Sequence, residues 1–145
     1  MPEHATPAAV AAHLFAGDRA SQALGMRIVD VADGVAELQM TVRPDMLNGF
    51  EICHGGFITT LADSAFAFAC NTGNTLTVAA GLTVDFLAPA HGGDTLTARA
   101  ERVSQSSRTG VYDIAVRNQR GERIALVRGR SHALKGRTVL PEETP

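Results

Sequence analysis

Cysteine is scarce in this chain, and the little there is excludes two classes of scaffold. Cys53 and Cys70 are too few for a disulfide framework. No cysteine and histidine set has the spacing of a zinc site, so no metal is expected. Positive charge is also in short supply. Lys and Arg number 13 against 15 Asp and Glu, for a net charge of −2 and a pI near 6.2. The footprint of a nucleic-acid binder is missing from that balance. No basic start followed by an apolar core opens the chain, so no secretory signal is read. The longest apolar stretch carries Asp63 with several Ser and Thr residues, and it falls short of a membrane span. A reduced, cytoplasmic protein is the expectation.

What is present fits an ordinary globular chain of 145 residues, 45% hydrophobic and 19% charged. That length predicts one domain over residues 1–145. Its core is expected over about 24–135, with a short helix before it and a flexible C-terminal tail. Pro7 ahead of Ala8 to Phe15 predicts the N-terminal helix. Met26 to Val31 and Val35 to Val42 read as strands joined at Asp33-Gly34, a hairpin signal. The second alternates cleanly, with Leu38, Met40 and Val42 on one face. A helix follows over Gly55–Cys70, and then only strands: Leu76 to Phe86, Thr95 to Val103, Thr109 to Arg117 and Ile124 to Ser131. Helices do not alternate with strands, so a parallel doubly wound fold is disfavoured. The order predicts an α+β protein, an antiparallel sheet around one central helix.

Asp63 is the chemical anomaly of that helix. Its helical neighbours Thr59, Thr60, Phe66 and Ala67 offer no cation to pair it. A burial-prone acid without a local counter-charge is costly unless something engages it, and such groups cluster at functional sites. Nine residues earlier, His54-Gly55-Gly56 opens the same helix. Free N–H groups at a helix N-terminus, backed by the helix dipole, polarise a carbonyl oxygen. Glycine there lets a substrate approach the backbone closely. Together these residues read as a site for attack on a carbonyl.

Several stretches carry a family likeness, in order from about Leu24 to His132. They are Met46-Leu-Asn-Gly-Phe-Glu-Ile-Cys-His-Gly-Gly56, Leu61-Ala-Asp-Ser-Ala-Phe-Ala-Phe-Ala-Cys-Asn71, Val84-Asp-Phe-Leu-Ala-Pro89, Gly93-Asp-Thr-Leu-Thr97, Thr109-Gly-Val-Tyr-Asp-Ile114 and Arg128-Gly-Arg-Ser-His132. The set resembles the hotdog-fold acyl-CoA thioesterases, and within them the phenylacetyl-CoA thioesterase group of phenylacetic-acid degradation. The resemblance implies hydrolysis of aryl-acetyl-CoA thioesters, with coenzyme A part of the substrate and no further cofactor. It implies Gly55 as the oxyanion contact, Asp63 as nucleophile or general base, and Asn48 near the nucleophile or water. For His54 an orienting role and a plain turn histidine stay open, and Asn48 also fits the left-handed position of an Asn-Gly turn. Gly56, Gly81, Arg108, Thr109 and Gly110 are the candidates to hold substrate or coenzyme A, with Arg128 and Arg130 behind them.

Some relatives in that family place a Ser or Thr on the strand after the helix. Here the stretch is Ala79-Ala80-Gly81, with no hydroxyl. Direct attack and general-base activation of water by Asp63 therefore both stay open. A hydratase or dehydratase of the same fold is the alternative enzyme, but the histidine that branch keeps five residues after the Asp is Phe68 here. A non-enzymatic acyl-CoA-binding protein would have no need of Asp63. Phe50, Phe57, Leu61, Phe66 and Phe68 are candidates for an aromatic pocket, with core packing as the plainer role. Gly55 and Asp63 are eight residues apart, about 12 Å along one helix. One carbonyl carbon cannot touch both, so each site needs two chains. A homodimer with shared sites, assembled into a homotetramer, follows as the expectation.

Overall fold

The computed structural model describes residues 5–141, and the end of the expected tail, residues 142–145, lies outside the described residues. The Thr6 hydroxyl caps α1 (Pro7–Gly17) by accepting the Ala9 N–H at 3.2 Å, and Pro7 occupies a first-turn position where its missing N–H costs nothing. Asp18 ends α1 and caps a second helix, α2 (Arg19–Ala23), accepting the Ser21 N–H at 2.9 Å. Its five residues are too few to show a helical period, so only its cap could mark α2 in the sequence. β1 (Arg27–Ala32) and β2 (Val35–Thr41) then pair as a hairpin whose turn uses Gly34 at φ +69°.

The central helix, α3, spans Gly55–Cys70, and β3 (Thr75–Phe86), β4 (Thr95–Gln105), β5 (Thr109–Arg117) and β6 (Arg123–Thr138) complete the chain. All six strands form one antiparallel sheet in the order β1-β2-β4-β5-β6-β3. α3 touches every one of them. Six strands about 4.8 Å apart are wider than one helix of about 10 Å, so contact with all six requires the sheet to curve around α3. This is the expected α+β hotdog architecture. Among the described residues, no helix is long and apolar enough to cross a membrane.

The core lies between α3 and the concave face. α3 contributes Ile58, Leu61, Ala62, Ala65, Phe66, Phe68 and Ala69, all buried. β4 meets it with Leu96, Ala98 and Ala100, two of them small enough to bring the helix close. Gly129 of β6 goes further, since a Cβ there would stand 2.7 Å from the Phe66 ring. Leu61, Phe66 and Phe68 are thereby core residues. Phe66 stacks edge-on to Tyr112 at 5.5 Å, and Phe68 packs 6.3 Å from Phe15. They are not the walls of an aromatic pocket.

Two strands depart from the sequence pattern. β3 does not alternate throughout, because a bulge between Ala79 and Gly81 shifts its register against β6. Val78, before the bulge, is exposed while Leu82 and Val84 after it pack on the core, and Phe86 is exposed at the strand's end. β6 runs on to Thr138, held by pairing with Thr75 at the start of β3. β3 itself is an edge strand of 12 residues with an open backbone edge.

Candidate active site

The start of α3 is held from three sides. The Cys53 N–H donates to Ala90 O, the His54 N–H donates to Met46 O, each at 2.8 Å, and Leu47 bridges Cys53. His54 is the N-cap, and its Nδ1 accepts the Gly56 N–H at 2.9 Å. A ring nitrogen that accepts is unprotonated, so the proton of a neutral His54 sits on Nε2. His54 thus caps the start of α3 with its own ring.

That cap separates the two glycines. The Gly56 N–H is taken by His54, whereas the Gly55 N–H meets no acceptor among the described residues. Both carbonyls belong to the helix and are bonded by Thr60 and Thr59 hydroxyls at 2.8 Å. One helix-start donor is left for an outside oxygen, and it is the N–H of Gly55. Phe86, at the end of β3, lies over this residue: a Cβ on Gly55 would stand 2.8 Å from its ring. In the sequence Phe86 looks like one more strand residue. An aromatic at the exposed end of an edge strand is the signal that marks it out.

Asn48 is fixed differently from the Asn-Gly reading. Its Oδ1 accepts the N–H of Phe50 at 2.9 Å and of Ile52 at 3.4 Å, an Asx turn. The left-handed residue of this loop is Glu51, at φ +60°, not Asn48. With Oδ1 committed, the Asn48 NH₂ remains as a donor, and no described residue accepts from it. Phe50 stands 85% exposed at the same loop.

Asp63 lies two turns along α3, on the side away from the sheet. It is half-buried and makes no hydrogen bond or ion pair with any described residue. Burial, and then the negative charge of Asp18, push its carboxyl above the usual aspartate range. Neither cysteine competes as a nucleophile. Burial pushes the Cys53 thiol up to about 11 and the Cys70 thiol up to about 12. Among the described residues no cluster of His, Cys, Asp and Glu could hold a metal.

Arg99, Arg102 and Arg128 on the strands, Arg43 after β2 and Arg120 in the β5–β6 turn are engaged by carboxylates, Arg128 gripping Asp113 at 2.7 and 2.8 Å. Arg108 sits exposed in the β4–β5 turn with no carboxylate partner among the described residues, and its backbone oxygen anchors Ala133 at 2.7 Å. Beside it, the Thr109 hydroxyl bonds that of Ser106 at 2.8 Å. Gly110 is buried, with Gln105 Oε1 and Ser131 Oγ where a Cβ would go, so its glycine makes room for the hairpin. Gly81 follows the β3 bulge, and the Arg130 side chain lies directly over it.

These features match a known group. Residues 50–125 fit the model of the thioesterase superfamily. The chain is 46% identical to the acyl-coenzyme A thioesterase PaaI of Escherichia coli, over 85% of this chain and 88% of that one. Its fold superposes on the structure of the Escherichia coli PaaI protein from the phenylacetic acid degradation operon, with a TM-score of 0.89 at 45% identity. That match covers 91% of this chain and 95% of the other. A mutant structure of the phenylacetic acid degradation protein PaaI from Thermus thermophilus gives a TM-score of 0.78 at 38% identity, over 81% and 100%. A curved antiparallel sheet around α3, a free donor at the start of α3 and this degree of identity lead to one conclusion: the chain belongs to the thioesterase superfamily and is a thioester hydrolase of the hotdog fold.

Proposed function

We propose that this protein hydrolyses aryl-acetyl-CoA thioesters, phenylacetyl-CoA or its ring-hydroxylated forms, to the free acid and coenzyme A. The observation that carries the chemistry is one helix bearing a free N–H at its start and an unpartnered carboxylate two turns later. The 46% identity to an acyl-coenzyme A thioesterase supports the substrate class. In this reading the Gly55 N–H donates to the thioester oxygen and stabilises the negative charge that builds there. The Asp63 carboxylate attacks the carbonyl carbon and the thiolate of coenzyme A departs, leaving a mixed anhydride that water then cleaves to the free acid. Alternatively, Asp63 takes a proton from the attacking water, and the thiolate leaves as that proton is passed on. The unclaimed NH₂ of Asn48 is read as a donor near the nucleophile or water. Coenzyme A is consumed as part of the substrate, and the chemistry asks for no other cofactor.

Each site is read as shared by two chains. Gly55 and Asp63 lie about 12 Å apart on α3, too far for one thioester carbon. An antiparallel α3 from a second copy would bring its Gly55 to this Asp63. The open 12-residue edge of β3, with Val78 and Phe86 exposed, supports a second copy as its cover. A homodimer, paired into a homotetramer in the cytoplasm, is the assembly we favour. The hydratase alternative loses its second catalytic group, since Phe68 is packed in the core.

Thiol release from a panel of CoA thioesters, followed beside enoyl absorbance, tests this function. Phenylacetyl-CoA is expected to give the highest kcat/KM. Equal rates on short alkyl thioesters would sink the aryl preference, and no thiol release from any member would sink the function. Arg108, with no carboxylate partner, is read as a contact for a coenzyme A phosphate. Arg108→Ala is expected to raise KM for the CoA thioester about tenfold at unchanged kcat, the scale of one charge-assisted hydrogen bond. A thioester lacking the nucleotide should show no such difference, and if it does, Arg108 acts elsewhere.

A further inference from the structure

Asp63 has a neighbour that its own helix does not supply. Asp18 caps α2, and beyond the Ser21 N–H it takes a second bond from the Ser21 hydroxyl, Oγ to Oδ2 at 2.6 Å. Ser21 Oγ in turn lies 2.8 Å from Ser64 Oγ, on α3 directly after Asp63. The direction of this chain follows from donor counting. A carboxylate only accepts, so the single Ser21 proton goes to Asp18, and the Ser64 hydroxyl must donate to Ser21. Ser21 is 1% exposed, so the middle of the relay is buried between α2 and α3. It joins the two helices at the turn of α3 that carries the proposed catalytic carboxylate.

We propose that Asp18 is a positioning residue for Asp63, docking α2 on α3 through Ser21 and Ser64 and holding a fixed negative charge beside the catalytic carboxylate. The inference rests on the reading of Asp63 as nucleophile or general base. Of the charged groups on the elements packed against α3, Asp18 is the one whose field raises Asp63, after burial itself. On α3, Asp63 also faces the Cys70 thiol, which stays neutral at ordinary pH because it is pushed up to about 12. No cation of the described residues pairs Asp63 to offset Asp18. A like charge makes a carboxylate a stronger base, and a stronger base or nucleophile has more driving force at the carbonyl or the water. A carboxylate at position 18 thus serves twice, as helix cap and as electrostatic bias.

The test separates those two duties, because Asn caps a helix as well as Asp but carries no charge. Its NH₂ donates to Ser21 Oγ, and the Ser21 hydroxyl then donates to Ser64, so the tie is kept in the reverse direction. The pH dependence of kcat/KM for phenylacetyl-CoA is measured for wild type, Asp18→Asn, Asp18→Glu and Asp63→Asn. In Asp18→Asn the acid limb should move to lower pH and the plateau kcat should fall a few fold, with circular dichroism unchanged. Asp18→Glu should keep the limb near its wild-type position. One molar salt should move the wild-type limb the same way and leave that of Asp18→Asn in place. If Asp18→Asn does not fold, Asp18→Ser supplies an uncharged cap for the same measurement. Superimposable limbs in wild type and the uncharged variant, with Asp63→Asn inactive, would overturn the role of Asp18 alone. Full turnover in Asp63→Asn would instead remove the reading beneath it.

Discussion

Asp63→Asn is expected to lose at least about 10²-fold in kcat while folding normally, the scale on which a positioned acid–base group contributes. Asp63→Ala should be nearly as inactive. The same substitution carries a second expectation, in stability. The folded chain holds the Asp63 proton to higher pH than an unfolded chain does, because burial and Asp18 both oppose its ionisation. The neutral form therefore favours the fold. That contribution is complete below the unfolded carboxylate value and is lost as pH rises through the raised folded value. Asn mimics the neutral form, so Asp63→Asn should melt above wild type at pH 7, and the gap should close in acid. A dead variant that is more stable than its parent is the signature of a group kept for chemistry rather than structure. Near wild-type turnover in a folded variant would take Asp63 out of the mechanism.

Gly55→Pro removes the one helix-start donor that no described residue occupies, and is expected to lose about 10²–10³ in kcat, the usual loss for one oxyanion donor. The backbone tolerates this change better than most. Gly55 is the first residue of α3, where proline is favoured, and His54 already has φ −59° and ψ 132°, as a residue before proline requires. The new ring does meet Phe86, whose half-exposed side chain must swing aside. Circular dichroism and oligomer size therefore come first. A correctly assembled Gly55→Pro protein at full activity would place carbonyl polarisation elsewhere.

Much of the fold and site is legible in the sequence because the signals are local. Leu38 and Met40 alternate on β2 and Val42 follows just past its end, and all three are buried as read. Asp63 stands out because α3 contains no cation, a fact of the residues that folding does not change. What stays hidden depends on contacts distant in sequence. β3 looks continuous, but the bulge before Gly81 exists only against β6. Phe66 and Phe68 look equally fit for a pocket, since α3 is apolar on most sides and only the sheet decides which face is covered. Asn48 draws attention through its neighbour Gly49, while the Asx turn gives the left-handed position to Glu51. Asp18 is invisible as a neighbour of Asp63, 45 residues away, although Gly17-Asp18 followed by Ser21 is the pattern of a helix stop and a new cap.

Subunit mixing tests most directly whether each site takes Gly55 from one chain and Asp63 from another. Asp63→Ala and Gly55→Pro chains are refolded together, and thiol release is compared with each parent. A hybrid dimer would hold one site with both lesions and one with neither. Random pairing makes about half the dimers hybrid, so about a quarter of all sites should recover wild-type turnover. If each site lies within a single chain, every site carries a lesion and nothing recovers. A mixture as inactive as its parents, with hybrid dimers confirmed by native mass spectrometry, would contradict the shared site.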